Sequence, residues 1–179
     1  MKKLKMKIAM KNKFLSLIAI VLAVASSLAL TACDDDAPAG DMTVTYSVNL
    51  GEDMPRVGQV AIHYIDEAGK PQVDRVTGTS WSKAIKPHHG TGVFAVRIAV
   101  EPKNDAPKES YKLGAESLIK YDGANGAGAN AKVIAPISQY DKSKLELVLA
   151  RINSGYHAIR ISNNGERVVT SDVASPFGK

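Results

Sequence analysis

From Thr43 onward the chain alternates. In TVTYSVNL the apolar Val44, Tyr46, Val48 and Leu50 take every second position, with Thr43, Thr45, Ser47 and Asn49 between them, which predicts a strand buried on one face. VGQVAIHYI repeats the pattern with Val60, Ile62 and Tyr64. DEAG follows as a turn in which Gly69 can take positive φ, so KPQVDRV is expected to return as a hairpin partner. TSWSKAIK precedes the turn-forming PHHGTG, and VFAVRIAVE then sets Phe94, Val96, Ile98 and Val100 on one face.

The second half is patterned less cleanly. EPKNDAPKES, residues 101–110, carries two prolines and five charges and is expected to be a loop. YKLGAESLIKY fits a strand or a short helix. We read it as a strand, because Tyr111, Leu113, Ala115, Ser117, Ile119 and Tyr121 share one parity. DGANGAGAN, residues 122–130, predicts a mobile loop; it has no Walker-type lysine, so it makes a poor phosphate cradle. AKVIAPIS, KLELVLARI and HAIRIS continue the β character, and Asn164-Gly165 in ISNNGERVV suits a type I′ hairpin turn. Residues 43–171 thus predict an all-β fold, a single antiparallel β-sandwich of the Ig or transthyretin type, followed by a loose tail at 172–179.

The first 42 residues read differently. Six lysines and no acid lie between Met1 and Lys13, and Phe14 to Leu30 is apolar apart from serines. That is the layout of a secretory signal, whether translation starts at Met1, Met6 or Met10. Leu30, Thr31, Ala32 and Cys33 resemble a bacterial lipobox. The resemblance implies a signal peptide over 1–32, cleavage between Ala32 and Cys33, and a diacylglyceryl group on the Cys33 sulfur. An uncleaved anchor is the competing reading, since about 18 apolar residues can span a bilayer; an ordinary cleaved secretory signal is another. Residues 33–42 read as a lipidated flexible tether. Asp34, Asp35 and Asp36 follow the cysteine directly, where lipoprotein sorting signals lie; such acids resemble an inner-membrane retention signal in some bacteria and a surface-export signal in others.

Charge and composition then narrow the function classes. The chain has 23 basic and 18 acidic residues, but discarding residues 1–32 leaves 17 against 18. The basic excess belongs to the signal, and no basic, aromatic-laced patch points to nucleic acid. Cys33 is the only cysteine, so the domain is expected to hold together without disulfides. No nucleophile motif, metal-ligand spacing or cofactor motif occurs, which argues against an enzyme and predicts neither a metal nor a cofactor. Four histidines are present. His63 and His157 are expected to point outward, and His88 and His89 sit in a turn, where adjacent positions favour opposite faces. Trp81 is expected to be a core anchor with its N–H paired to backbone; exposed beside Tyr64, it would instead stack on a sugar or fill a partner's pocket. Tyr64, Trp81, His88 and His89 are therefore the candidate contact residues.

VTYSV, VAIHYIDEAGKPQ, WSK and IRISNNGERVV, in that order, resemble the β-domain of the mycobacterial small membrane protein (MmpS) family and related small lipoproteins. Those members are held by a transmembrane helix and many carry a cysteine pair, whereas this chain has a lipobox and no second cysteine. Residues 101–155 have no counterpart. The resemblance implies an extracytoplasmic sandwich with an accessory role beside lipid-exporting transporters. The expected function is a non-enzymatic binding or accessory module of an envelope complex, anchored in membrane lipid through Cys33 and contacting an envelope protein. A carrier of a small lipid or glycan on the cell envelope is the alternative.

Overall fold

In the computed structural model, residues 42–103, 107–123, 126–163, 167–171 and 173–178 are described. The strands are β1 (Thr43–Leu50), β2 (Gly58–Ile65), β3 (Pro71–Val76), β4 (Ser80–Ile85), β5 (Gly92–Pro102), β6 (Ser110–Gly123), β7 (Gly126–Asp141), β8 (Tyr156–Asn163) and β9 (Arg167–Ser171). Two helices interrupt them, α1 (Met54–Val57) and α2 (Leu145–Ser154). The strands form two antiparallel sheets, ordered β4-β1-β6-β7 and β3-β2-β5-β8-β9. They pack as a sandwich, as the alternation predicts.

The inward positions are those the two-residue period picks out. Val44, Tyr46, Val48 and Leu50 of β1 and Tyr111, Leu113, Ala115 and Ile119 of β6 meet Val60, Ile62, Val96 and Ile98 of the other sheet in one core. Hydrophobic burial has no direction of its own. Polar ties between the sheets supply one: the Tyr46 hydroxyl, wholly buried, donates to the Ile65 carbonyl at 2.9 Å. Burial drives that hydroxyl well above its ordinary pKa, with the Ala95 backbone pulling the other way, so it stays a donor.

Three expectations need correction. KLELVLARI is not a strand: from Leu145 on it lies in α2, where Leu145, Val148, Leu149 and Ile152 recur at helical spacing and face the core, while Leu147 is 66 % exposed. The helix covers the edge of β5 beyond Arg97, where pairing with β8 ends. There the Asn153 side chain imitates a strand, accepting the Val100 N–H at 2.6 Å and donating to the Val100 carbonyl at 3.0 Å.

The glycine-rich stretch is likewise not a loop, because Asp122, Gly123 and 126–130 belong to the β6–β7 hairpin; residues 124 and 125 lie outside the described residues. Tyr121 lies across from Gly128, where a Cβ would come within 2.5 Å of its ring. The small residue is what lets the aromatic lie over the partner strand. The C-terminal tail, finally, is not simply loose: Val173 and Phe177 pack with Tyr156 on Ile65, Ala95 and Ala158, on the outer face of the five-stranded sheet. Asn164 and Gly165, the expected type I′ turn, lie outside the described residues.

The β6–β7 register slips twice, between Leu113 and Ala115 and between Ala115 and Glu116. Gly114 sits in the first slip at φ +133°, and a Cβ there would lie 2.6 Å from the Ile137 Cα. Gly114→Ala is therefore expected to lower stability by about 2–3 kcal/mol in urea unfolding. A loss under ~0.5 kcal/mol, the range of an ordinary surface change, would contradict this bulge.

Candidate functional site

The edge strands β3 and β4 lie on the same lateral side of the sandwich, one in each sheet. Trp81 of β4 packs there against Tyr64 of β2, with ring centroids 5.4 Å apart and planes tilted 47°. Tyr64 in turn meets Tyr46 at 6.0 Å, and Lys83 Nζ stands 5.6 Å from the Tyr64 centroid. The indole N–H does not pair with backbone as expected. It donates to Asp74 Oδ2 on β3 at 3.2 Å, because at this edge the acceptor comes from the facing sheet.

The result is an aromatic ladder running from the core to the surface. Tyr64 is only 5 % exposed, so it supports the ladder from inside and offers no stacking face of its own. Trp81, part-buried and held between Tyr64 and Asp74, forms the rim, with the Lys83 ammonium two positions along the same strand. A pinned indole beside a carboxylate and an ammonium can hold a partner's side chain or a polar ring; it offers no nucleophile. His88 and His89 are exposed in the loop after β4, about 14 Å further along from Trp81 to the strand end. The His88 backbone N–H donates to the Glu67 carbonyl at 2.9 Å, which ties that loop to the β2–β3 turn.

Of the other histidines, His63 faces outward as expected but is half-buried. Burial first, and then the Arg97 charge, lower its pKa. His157 contradicts the expectation. It is 1 % exposed, with Nδ1 2.9 Å from Ser117 Oγ and Nε2 2.8 Å from Asn130 Oδ1. The signal was in the chain, since His157 shares the parity of the inward Ile159 and Ile161.

With the Asn130 oxygen accepting from Nε2–H, Nδ1 is left to accept the Ser117 hydroxyl proton. That is the connectivity of a nucleophile, a base and an orienting amide. Yet Ser117 is 4 % exposed, so no substrate reaches it in this structure. The trio instead links β6 and β7 to β8, a second polar tie between the sheets. Among the described residues, no three His, Cys, Asp or Glu side chains converge as a metal site would require.

Ala32, Cys33, Asp34, Asp35 and Asp36 lie outside the described residues. Among the described residues no helix is long and apolar enough to cross a membrane. No family model, curated protein or solved structure matches the chain.

Trp81 is the only tryptophan, so native fluorescence reports the rim alone. Trp81→Ala is expected to cost about 2–3 kcal/mol, below the 3–5 kcal/mol lost with a fully buried ring. Asp74→Ala should cost about 1 kcal/mol and shift the wild-type emission to the red as the indole loses its partner. Emission like that of free tryptophan in the native protein, with unchanged melting for both variants, would contradict the pinned rim.

Proposed function

We propose that the protein is a lipid-anchored binding domain of a bacterial cell envelope, without catalytic activity of its own. The observation that carries this reading is the lipobox Leu30-Thr31-Ala32-Cys33, placed behind a lysine-flanked apolar segment and holding the only cysteine of the chain. The nucleophile-like trio Ser117, His157 and Asn130 spans the two sheets with its serine and histidine buried, which favours binding over catalysis.

Ten residues from Cys33 to Met42 reach at most about 35 Å when fully extended, so a lipid on Cys33 would keep the domain within that distance of the membrane, attached at the end of the sandwich at which β1 begins. The β2–β3 turn and the loop carrying His88 and His89 share that end, because both strands antiparallel to β1 place them there. Trp81 pairs with Val48, toward the opposite end, and is free to meet an envelope protein. Asp34, Asp35 and Asp36 act in sorting, next to the lipidated residue. The resemblance to small membrane proteins points to an accessory role in transport as one such assignment.

Metabolic labelling with a palmitate analogue tests the anchor. The wild type is expected to be labelled and to sediment with membranes, and Cys33→Ser to lose the label. Equal labelling of the two, or peptides containing Met10 in the mature protein, would overturn the reading.

A further inference from the structure

The four-stranded sheet ends at β7, and one half of that edge is bare. The Leu50 N–H bonds to the Thr79 carbonyl, on the β4 side, and the Gly51 N–H to the Gly114 carbonyl, on the β6 side. Backbone groups alternate in direction along an antiparallel strand, so Thr45, Ser47 and Asn49 also turn toward β6. Their partners Lys120, Leu118 and Glu116 turn toward β1, and Ser117, Ile119 and Tyr121 therefore turn toward β7. Lys132, Asn130 and Gly128 answer those three. Ala127, Ala129, Ala131 and Val133, opposite residues that bond to β1, are left turning N–H and C=O away from the sheet. All four are exposed, and no strand among the described residues takes them.

Exposed edges are ordinarily blunted by charge, proline, shortness or cover. The other edges show such devices: β3 has Pro71, Asp74 and Arg75, β4 has Lys83, and β9 is five residues long. Even the far half of β7 has Pro136, and Arg151 Nε donates there to the Ile134 carbonyl at 3.2 Å. Between Ala127 and Val133 the open positions hold three alanines and a valine that is 55 % exposed. Lys132, the charge of this segment, lies on the other parity, its Nζ 5.4 Å from the Tyr156 centroid.

The two sheets are also unequal. Trp81 bonds to Asp74, Tyr46 to Ile65 and Asn130 to His157, which sets β4 over β3, β1 over β2 and β7 over β8. Strand β9 therefore lies beyond β7, and among the described residues no strand faces it. Its part-buried Val169 carries the core to that side. The described residues thus leave a place one strand wide, about 4.8 Å, bounded by the β7 edge and Val169. A second copy does not fit it. A two-fold axis that paired β7 with β7 would set the copy's β9 on this one, since each projects past its own β7.

We propose that the 127–133 edge of β7 binds an extended segment of a partner protein by strand addition. The segment pairs its backbone N–H and C=O groups with those of Ala127, Ala129, Ala131 and Val133. Its residues facing β9 are apolar and meet Val169, and those between them are polar, beside the exposed alanines. Backbone pairing supplies the affinity, and the apolar alternation supplies the choice of partner. This names a partner class for the binding domain proposed above and rests on that reading, but it does not need the lipid anchor.

The test is amide hydrogen exchange of the full-length protein, with a capped peptide of alternating valine and threonine as the probe. Peptide at about ten times its Kd is expected to slow exchange of the Ala129 and Ala131 amides about tenfold. Gly128 and Asn130, already bonded to β6, should change less. The same peptide N-methylated throughout has no N–H to pair and should have no effect, a control that needs no variant of the protein. Ala129→Pro keeps the β6 ladder, because the lost N–H faces outward, and should abolish the protection at Ala131. No protection at about 1 mM peptide, or equal protection by the methylated peptide, would overturn the proposal. So would a concentration-dependent dimer that protects the same amides, which would give the edge to a second copy. None of these results touches the palmitate label, which tests the anchor separately.

Discussion

The Tyr46 hydroxyl, donating to the Ile65 carbonyl from inside the sandwich, decides how the two sheets lie on one another. Apolar surface alone would be buried nearly as well with the sheets slid by a residue, because burial scales with area and is not directional. No disulfide is available to remove that freedom, since Cys33 is the only cysteine and lies ahead of the domain. A buried hydroxyl that fails to meet a partner costs more than a good one gains, so Tyr46 penalises every alternative register. Trp81 with Asp74 at one lateral edge, and His157 of β8 with Ser117 and Asn130 of β6 and β7, repeat the device between the same two sheets.

The same ties give the surface its character. Because Tyr64 is held between Tyr46 and Trp81, the indole is presented at a fixed place on the rim. On the outer face of the five-stranded sheet, Val173 and Phe177 cover apolar ground at Ile65, Ala95 and Ala158. Tyr46, Trp81 and His157 thus find their polar partners within the sandwich.

Strands β1, β2, β5 and β6 were legible because each buries one face, and a two-residue period reports that directly. Helix α2 was not. The segment KLELVLARI, which enters it at Leu145, offers apolar residues at both strand and helix spacing, and only packing against the end of β5 selects the helix. The stretch at 122–130 misled for another reason: Gly128 makes room for Tyr121, and the described residues on either side of 124–125 continue a hairpin, which composition alone reads as a loop. His157 was missed, expected outward although its parity with the buried Ile159 and Ile161 marked it as inward. The Trp81–Asp74 and Arg97–His63 relations were not, because they depend on which strands become neighbours across and within sheets.

The most direct measurement of the cross-sheet tie is amide hydrogen exchange and urea unfolding of Tyr46→Phe, which removes one oxygen and keeps the ring. The account predicts a loss of about 1–2 kcal/mol, with faster exchange of the Ala68 and Lys70 amides in the turn that follows Ile65 and little local change in the β6–β7 hairpin. Unchanged stability together with unchanged exchange in that turn would contradict the claim that this hydroxyl holds the sheets in register.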